Sequence, residues 1–276
     1  MVKRCCFCVL IYALAALCHG VEPFEKTPEL IIAPVYNSDD INHQTYYFKR
    51  LLQLALDYTR EEYGGYTVQE PPRVLADRRL QLAVREGAVD VMWHTSIEES
   101  VQGLARVPVG LLGELSQYRM LLVRRQDVAR FNEVETVAHL RKFSAGLGAQ
   151  WPDVDVLKHN HLRTVTAVGY EQLFPMLAAG RFDYFLRGIY QISQEQQARP
   201  ELDLAIVPDL VISYPSDVYF FVRDNNVQLR ERLTLGLERA MRSGSVDELM
   251  GSIPRFRWAR QQIEAAAWRT IYLPVP

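Results

Sequence analysis

The sequence predicts a two-lobed α/β molecule, on three observations. Short apolar strands alternate with amphipathic helices, a helix–glycine–strand device occurs twice about ninety positions apart, and two strongly strand-like runs flank the second occurrence. A further segment precedes this body. Lys3 and Arg4 form a short positive region, and an apolar run follows from Cys5 to Cys18. About 14 residues suit the core of a secretory signal and are too few to span ~30 Å of hydrocarbon. Cys18 and Gly20 satisfy the small-residue rule for cleavage before Val21, so residues 1–20 are expected to be a cleavable signal peptide. Ala16 and Cys18 would also allow a cut before His19, and an uncleaved anchor or a lipoprotein remains an alternative.

The cysteine count sharpens that reading. Cys5, Cys6, Cys8 and Cys18 all fall in the leader, so a mature chain has no disulfide framework, thiol nucleophile or thiolate metal site. At about 256 residues it is large enough to be held by its core alone, since chains of this size bury roughly 70–75% of their unfolded surface. Loss of Lys3 and Arg4 leaves 29 basic and 33 acidic residues, a net charge of −4. No basic stripe suggests nucleic acid, and no later apolar stretch approaches a membrane span.

Taken in order, Leu30–Pro34 reads as the first strand and about Asn42–Tyr63 as a helix, with Phe48, Leu51, Leu52, Ala55 and Tyr58 at helical spacing. Gly64 and Gly65 stop it. Tyr66–Gln69 is a second strand, Asp77–Glu86 a helix closed by Gly87, and Val89–Trp93 a third strand. The second half repeats the scheme with a strand at Ser144–Leu147, a helix from Trp151 to about Lys158, a strand at Thr164–Val168 and a helix at Tyr170–Ala179. Within these units Gly87-Ala88-Val89-Asp90 and Gly180-Arg181-Phe182-Asp183 are one helix-stop-strand device used twice. Tyr118–Arg124 and Val218–Arg223 are the flanking strands, where the chain must cross between lobes. A helix from Val227 to Arg242, a short one begun by the capping box Ser245-x-x-Glu248, and a last one from Pro254 to Trp268 are expected to pack back on the first lobe. The division is therefore 21–116 and 222–276 for lobe 1, and 117–221 for lobe 2.

In this order and spacing, the stretches REGAVDVMWHTSIEES, MLAAGRFDYFLRGIY and YFFVRDNNVQLRERLTLGLERAMRSGS resemble the periplasmic solute-binding proteins of the type 2 fold. The likeness is to the polar amino-acid-binding (family 3) receptors of ABC importers among them. It implies two lobes joined by crossover strands, hinge closure on a small polar or anionic solute, residence in the periplasm and a monomer. It also implies a membrane permease or sensor as partner, with no cofactor. Two departures bear on the ligand. Such receptors place an arginine soon after the third strand, where Ser96–Ser100 (SIEES) has none. They place an aspartate after the lobe 2 strand, where Arg187 stands.

Ligands of open α/β sheets sit beyond the carboxyl ends of the strands. That rule selects Tyr36 and Asn37 after the first strand, although Asn37 also suits a helix cap. It selects Trp93, His94 and Thr95 after the third, where an aromatic ring, an imidazole and a hydroxyl could hold a solute; equally, Trp93 could be core and Ser96 with Glu99 a helix cap. In lobe 2 it selects Gln150 and Trp151 at the start of a helix, and Arg187, whose fork suits a planar anion or an ion pair between lobes. Tyr118, Arg119 and Tyr214 lie near the crossings and read as hinge packing. His159 and His161 lack a third metal ligand at a suggestive spacing, and no hydrolase elbow or nucleotide glycine pattern occurs. The alternatives to solute capture are a dehydratase-like lyase on the same frame, with His94 as its acid or base, and a protein-interaction module that has lost its solute.

Overall fold

The computed structural model describes residues 28–96, 100–101, 103–265 and 267–276. The leader and Glu99 lie outside them. The chain begins with β1 (Glu29–Ile32), α1 (Gln44–Asp57), α2 (Arg60–Tyr63), β2 (Tyr66–Gln69), α3 (Asp77–Glu86) and β3 (Val91–Ser96). The hairpin β4 (Ser100–Val101) and β5 (Leu104–Arg106) follows, then β6 (Tyr118–Arg124), α4 (Val137–Leu140), β7 (Ser144–Gly148), α5 (Asp153–His159) and β8 (Arg163–Ala167). Next come α6 (Tyr170–Ala178), β9 (Tyr184–Gly188), α7 (Ile189–Gln197), β10 (Leu204–Ser213) and β11 (Asp217–Arg223). The chain closes with α8 (Val227–Arg242), α9 (Ser245–Ser252), α10 (Pro254–Glu264) and β12 (Arg269–Tyr272).

Lobe 1 holds the parallel pair β1–β2 and a four-stranded sheet ordered β3-β11-β5-β4. The two are clipped together where Ile32 and Asp90 exchange backbone and side-chain hydrogen bonds. Helices α1 and α8 pack against each other on this lobe, their apolar faces supplying Leu51, Leu52, Ala55, Leu233 and Leu237 to the core. Lobe 2 is one six-stranded sheet ordered β12-β10-β6-β9-β7-β8, with α6 and α7 packed against its central strands and α5 against β7 and β8.

Several boundaries differ from the sequence expectation, each for a physical reason. The first helix is broken at Tyr58–Thr59, because the Thr59 hydroxyl turns back on the Ala55 and Leu56 carbonyls and Arg239 takes the Tyr58 carbonyl. β11 pairs with β3 and β5, so it belongs to lobe 1 and the second crossing falls at 214–216, before the strand rather than at 221. The first crossing occupies 107–117. A third exists: after α10 the chain returns to lobe 2, where β12 pairs parallel with β10, so the terminal residues do not all lie on lobe 1. α10 also packs on α7 of lobe 2 as well as on α9. Ser245 is the first residue of α9, not its cap; Gly244 caps it in the left-handed region, and the Ser245 hydroxyl bonds Tyr58 instead. Ser96 ends β3, and Ser100–Val101 pair with β5 as a hairpin; the helix expected after Ser96 falls on 97–99, outside the described residues.

Candidate functional site

Two adjoining cavities open between the lobes, of about 320 and about 360 Å³, and both are walled by residues from each side. Strand alternation sets the lobe 1 wall. β3 is held by β11 with Trp93 opposite Phe220 and His94 opposite Tyr219, which turns Trp93 and His94 to opposite faces. Trp93 lies flat on Phe48 of α1, with centroids 5.0 Å apart and planes at 18°. His94 Nδ1 faces the Thr95 carbonyl, an acceptor, so Nδ1 carries the proton and Nε2 is the acceptor nitrogen in the neutral form, with no hydrogen bond among the described residues. Asp77, in the first turn of α3, stands exposed on the same wall with no hydrogen bond or ion pair among the described residues.

The lobe 2 wall is built at the carboxyl ends of β7 and β9. Arg187, in β9, is buried and lies among aromatic rings, its guanidinium carbon 4.7 Å from the Trp151 centroid, 4.9 Å from Phe185 and 5.4 Å from Tyr170. Its fork is occupied from within the chain. Nε donates to Glu195 Oε2 at 2.7 Å and Nη2 to Oε1 at 2.5 Å, and the Tyr170 hydroxyl adds a third bond to Oε1 at 2.8 Å. Burial raises the Tyr170 pKa, and the neighbouring Glu195 carboxylate adds to it.

Behind this lies a second buried pair. Arg119 of β6 donates from Nε to Asp153 Oδ1 at 3.1 Å, from Nη2 to the Ser216 hydroxyl at 2.6 Å and from Nη1 to the Ser116 carbonyl. Its face rests 4.4 Å from the Tyr214 centroid, and the Tyr214 hydroxyl donates to Asp153. Burial opposes the charge on Asp153, but Arg119 and Tyr214 outweigh it and hold its pKa below the usual carboxylate range. Ser116 and Ser216 belong to the first two crossings, so this pair ties both to the start of α5. The anion that the N-terminus of α5 favours is thus supplied by the chain itself, as Asp153.

The structure brings together Trp93, His94, Thr95, Trp151 and Arg187 on one cavity, and adds Gln150 on the adjoining one. Tyr36 and Asn37 stand apart from both. The Tyr36 hydroxyl donates to the Arg73 carbonyl, and Asn37 adopts a left-handed turn with φ of 52°. Glu195, Asp153, Tyr170 and Tyr190 line or support the site without having been singled out in the sequence. Only Asp153, an acid directly after Pro152 at a helix start, carried a local signal. Among the described residues no group of three His, Cys, Asp or Glu could hold a metal ion.

The chain is a two-lobed α/β body with a cleft walled by residues of both lobes, and comparison with solved structures gives that fold its name. The chain has the periplasmic-binding-protein type 2 fold. It is similar to a histidine kinase sensor domain with similarity to periplasmic binding proteins, with a TM-score of 0.63 and 17% identity over 83% of this chain and 97% of that one. It is also similar to the BvgS VFT2 domain of Bordetella pertussis (TM-score 0.61, 16% identity, 83% and 92% covered). A third likeness is to an amino acid ABC transporter substrate-binding protein from Streptococcus pneumoniae bound to L-arginine (TM-score 0.59, 14% identity, 84% and 95% covered). No family model matches the chain, and no curated protein matches it.

Proposed function

We propose that this chain captures a small solute between its lobes and that closure on the solute is read by a membrane partner, either an importer or a sensor. The observation that carries this reading is the shared cleft: Trp93, His94 and Thr95 arrive from one sheet and Trp151 and Arg187 from the other, all near the carboxyl ends of their strands. A solute touching both walls binds the closed state better than the open one, and that difference drives closure. The fold's likeness to a kinase sensor domain and to a transporter-associated receptor supports both kinds of partner. The Lys3–Gly20 leader supports export to the periplasm before folding. Among the described residues no helix is long and apolar enough to cross a membrane.

The test is calorimetric titration of the leaderless protein against a metabolite panel, paired with small-angle scattering of each mixture. At least one solute is expected to bind with a fall in radius of gyration. A panel in which no solute compacts the molecule would sink the reading, and solute turnover abolished by His94→Ala would replace it with the lyase.

A further inference from the structure

We infer that the chain carries a second binding site, apart from the cleft, for a small organic cation with an apolar tail. The site is a cavity of about 750 Å³, larger than either cleft cavity and sharing no lining residue with them. Its walls come from the first crossing at 110–115, from Asp217 at the start of β11, and from the end of α8, α9 and α10. That volume suits a small ligand, and sites for small ligands are largely apolar with a few placed polar groups.

The lining supplies both parts. Leu112, Leu115, Val246, Met250 and Ile263 give an apolar floor, with the exposed Met241 beside them. Four carboxylates, Glu114, Asp217, Asp247 and Glu264, share that lining with one cation, Arg260, which Asp247 holds at 2.6 Å. The other three have no basic partner among the described residues. Glu114 accepts from the Tyr118 hydroxyl at 3.3 Å, and Glu264 makes neither hydrogen bond nor ion pair there. Asp217 is half-buried and relies on backbone amides, those of Val218 at 2.6 Å, Leu112 at 3.1 Å and Gly113 at 3.2 Å. Burial outweighs these donors and raises its pKa, as expected of a carboxylate with no cation beside it.

A positive head group entering here meets unmatched negative charge, an anion meets repulsion, and a neutral molecule gains from the floor alone. Among the described residues no three ligands converge for a metal ion, and a bare ion would leave the floor uncovered, so the fitting cation is organic. Leu112 and Gly113 belong to the first crossing and Asp217 follows the second, so an occupant rests against both joints.

The experiment uses phenylbutylammonium, with phenylbutyrate and phenylbutanol carrying the same tail, on leaderless protein labelled with carbon-13 at the methionine methyl groups. Met241 and Met250 line this cavity and Met92 lines the cleft, so NMR titration reads affinity and place together. The cation is expected to shift Met241 and Met250, leave Met92 still, and bind about tenfold more tightly than the butyrate or better. The alcohol should fall between them. Glu114→Gln/Glu264→Gln, at two exposed positions, should lower the cation's affinity by about fivefold and leave the alcohol's unchanged.

No binding by the cation, a shift at Met92 without one at Met241 and Met250, or butyrate binding as tight as the cation's overturns the inference. So does undiminished cation affinity in the folded double variant, and the wild-type comparison decides if that variant does not fold. None of these results bears on solute capture by the cleft, which the panel titration decides by itself.

Discussion

In lobe 1, α3 ends at Gly87 and Asp90 grips the first strand, its carboxylate accepting the Ile32 amide at 2.7 Å while its own amide returns a bond to Ile32 at 2.9 Å. In lobe 2, α6 ends at Gly180 and Asp183 grips β7 the same way, through the Ser144 amide at 2.8 Å and also its hydroxyl at 2.9 Å. Even the arginine lying over each glycine is repeated, as Arg223 at the end of β11 and Arg124 at the end of β6. The wiring around the two aspartates differs. Asp183 has Arg130 at 3.1 Å, and Arg124 is pinned by Asp127 at 2.5 Å. Asp90 has Glu29 as a neighbour, and Arg223 Nε is buried without a hydrogen-bond partner among the described residues. Burial works against both carboxylates. Around Asp183 the Ser144 donors and Arg130 win and lower its pKa; around Asp90 burial and Glu29 win and raise it. The same backbone corner is thus electrostatically satisfied in one lobe and under-satisfied in the other, which shows that the glycine and the aspartate specify the geometry while the neighbours set its strength.

The glycines should separate the lobes most. Both sit in the left-handed region, with φ of 76° at Gly87 and 69° at Gly180, so any side chain is strained there. A Cβ at Gly180 would overlap Arg124, which its bond to Asp127 holds in place, whereas a Cβ at Gly87 would meet the Arg223 tip at 2.9 Å. Gly180→Ala is expected to cost about 2–3 kcal/mol and Gly87→Ala about 1 kcal/mol, read from urea midpoints. Equal losses would mean the arginine pinning is immaterial. Next come the carboxylates. Asp183→Asn should cost about 1–2 kcal/mol at neutral pH, because it removes a charged acceptor with three partners, and Asp90→Asn less than about 0.5 kcal/mol. A larger loss at Asp90 would break the comparison.

The smallest effect is in acid. A lowered folded-state pKa, as at Asp183, contributes stability that is present above the ordinary carboxylate range and lost as pH falls through the folded pKa. A raised one, as at Asp90, adds stability as pH falls toward the ordinary value. Asp183→Asn should therefore flatten the acid limb of the stability–pH curve and Asp90→Asn should steepen it slightly, measured by denaturant titration at stepped pH. Slopes moving together would contradict the opposite signs.

The corner was legible because its signal is local: a helix, a glycine and an aspartate three positions on. So were the two lobes and the strands Tyr66–Gln69 and Tyr118–Arg124, where alternation and turn residues agree with the final packing. β10 was not, because Pro208 and Asp209 interrupt it. The ladder to β6 shifts register there and Asp209 takes a φ of 55°, a bulge that a strand pattern hides. The last helix was expected to run to Trp268 but ends at Glu264, and β12, which follows it, went unassigned, since four residues at a sheet edge carry little pattern of their own. The strand-end rule picked Trp93, His94, Thr95, Trp151 and Arg187, which the fold brings to one cavity, but also Tyr36 and Asn37, which it does not, and it gave no sign of the partners of these side chains. Glu195 reaches Arg187 across a strand-to-helix turn, eight residues away, and Asp153 meets Arg119 and Tyr214 from three separate segments. Such pairings exist only once the sheet has formed, and neither spacing nor composition announces them.

The return of the chain to β10 through β12 has a kinematic consequence. Two bodies joined by a pair of adjacent strands can both bend and twist about them. The run after α10 is a third tether, and it enters the second sheet at its far edge, with β10 between it and β6. A twist would have to stretch or slacken that tether, whereas a bend about the line through the joints need not. If the lobes close as proposed, this tether would steer them toward a single rotational degree of freedom, so that the jaws would meet in the same alignment each time they shut.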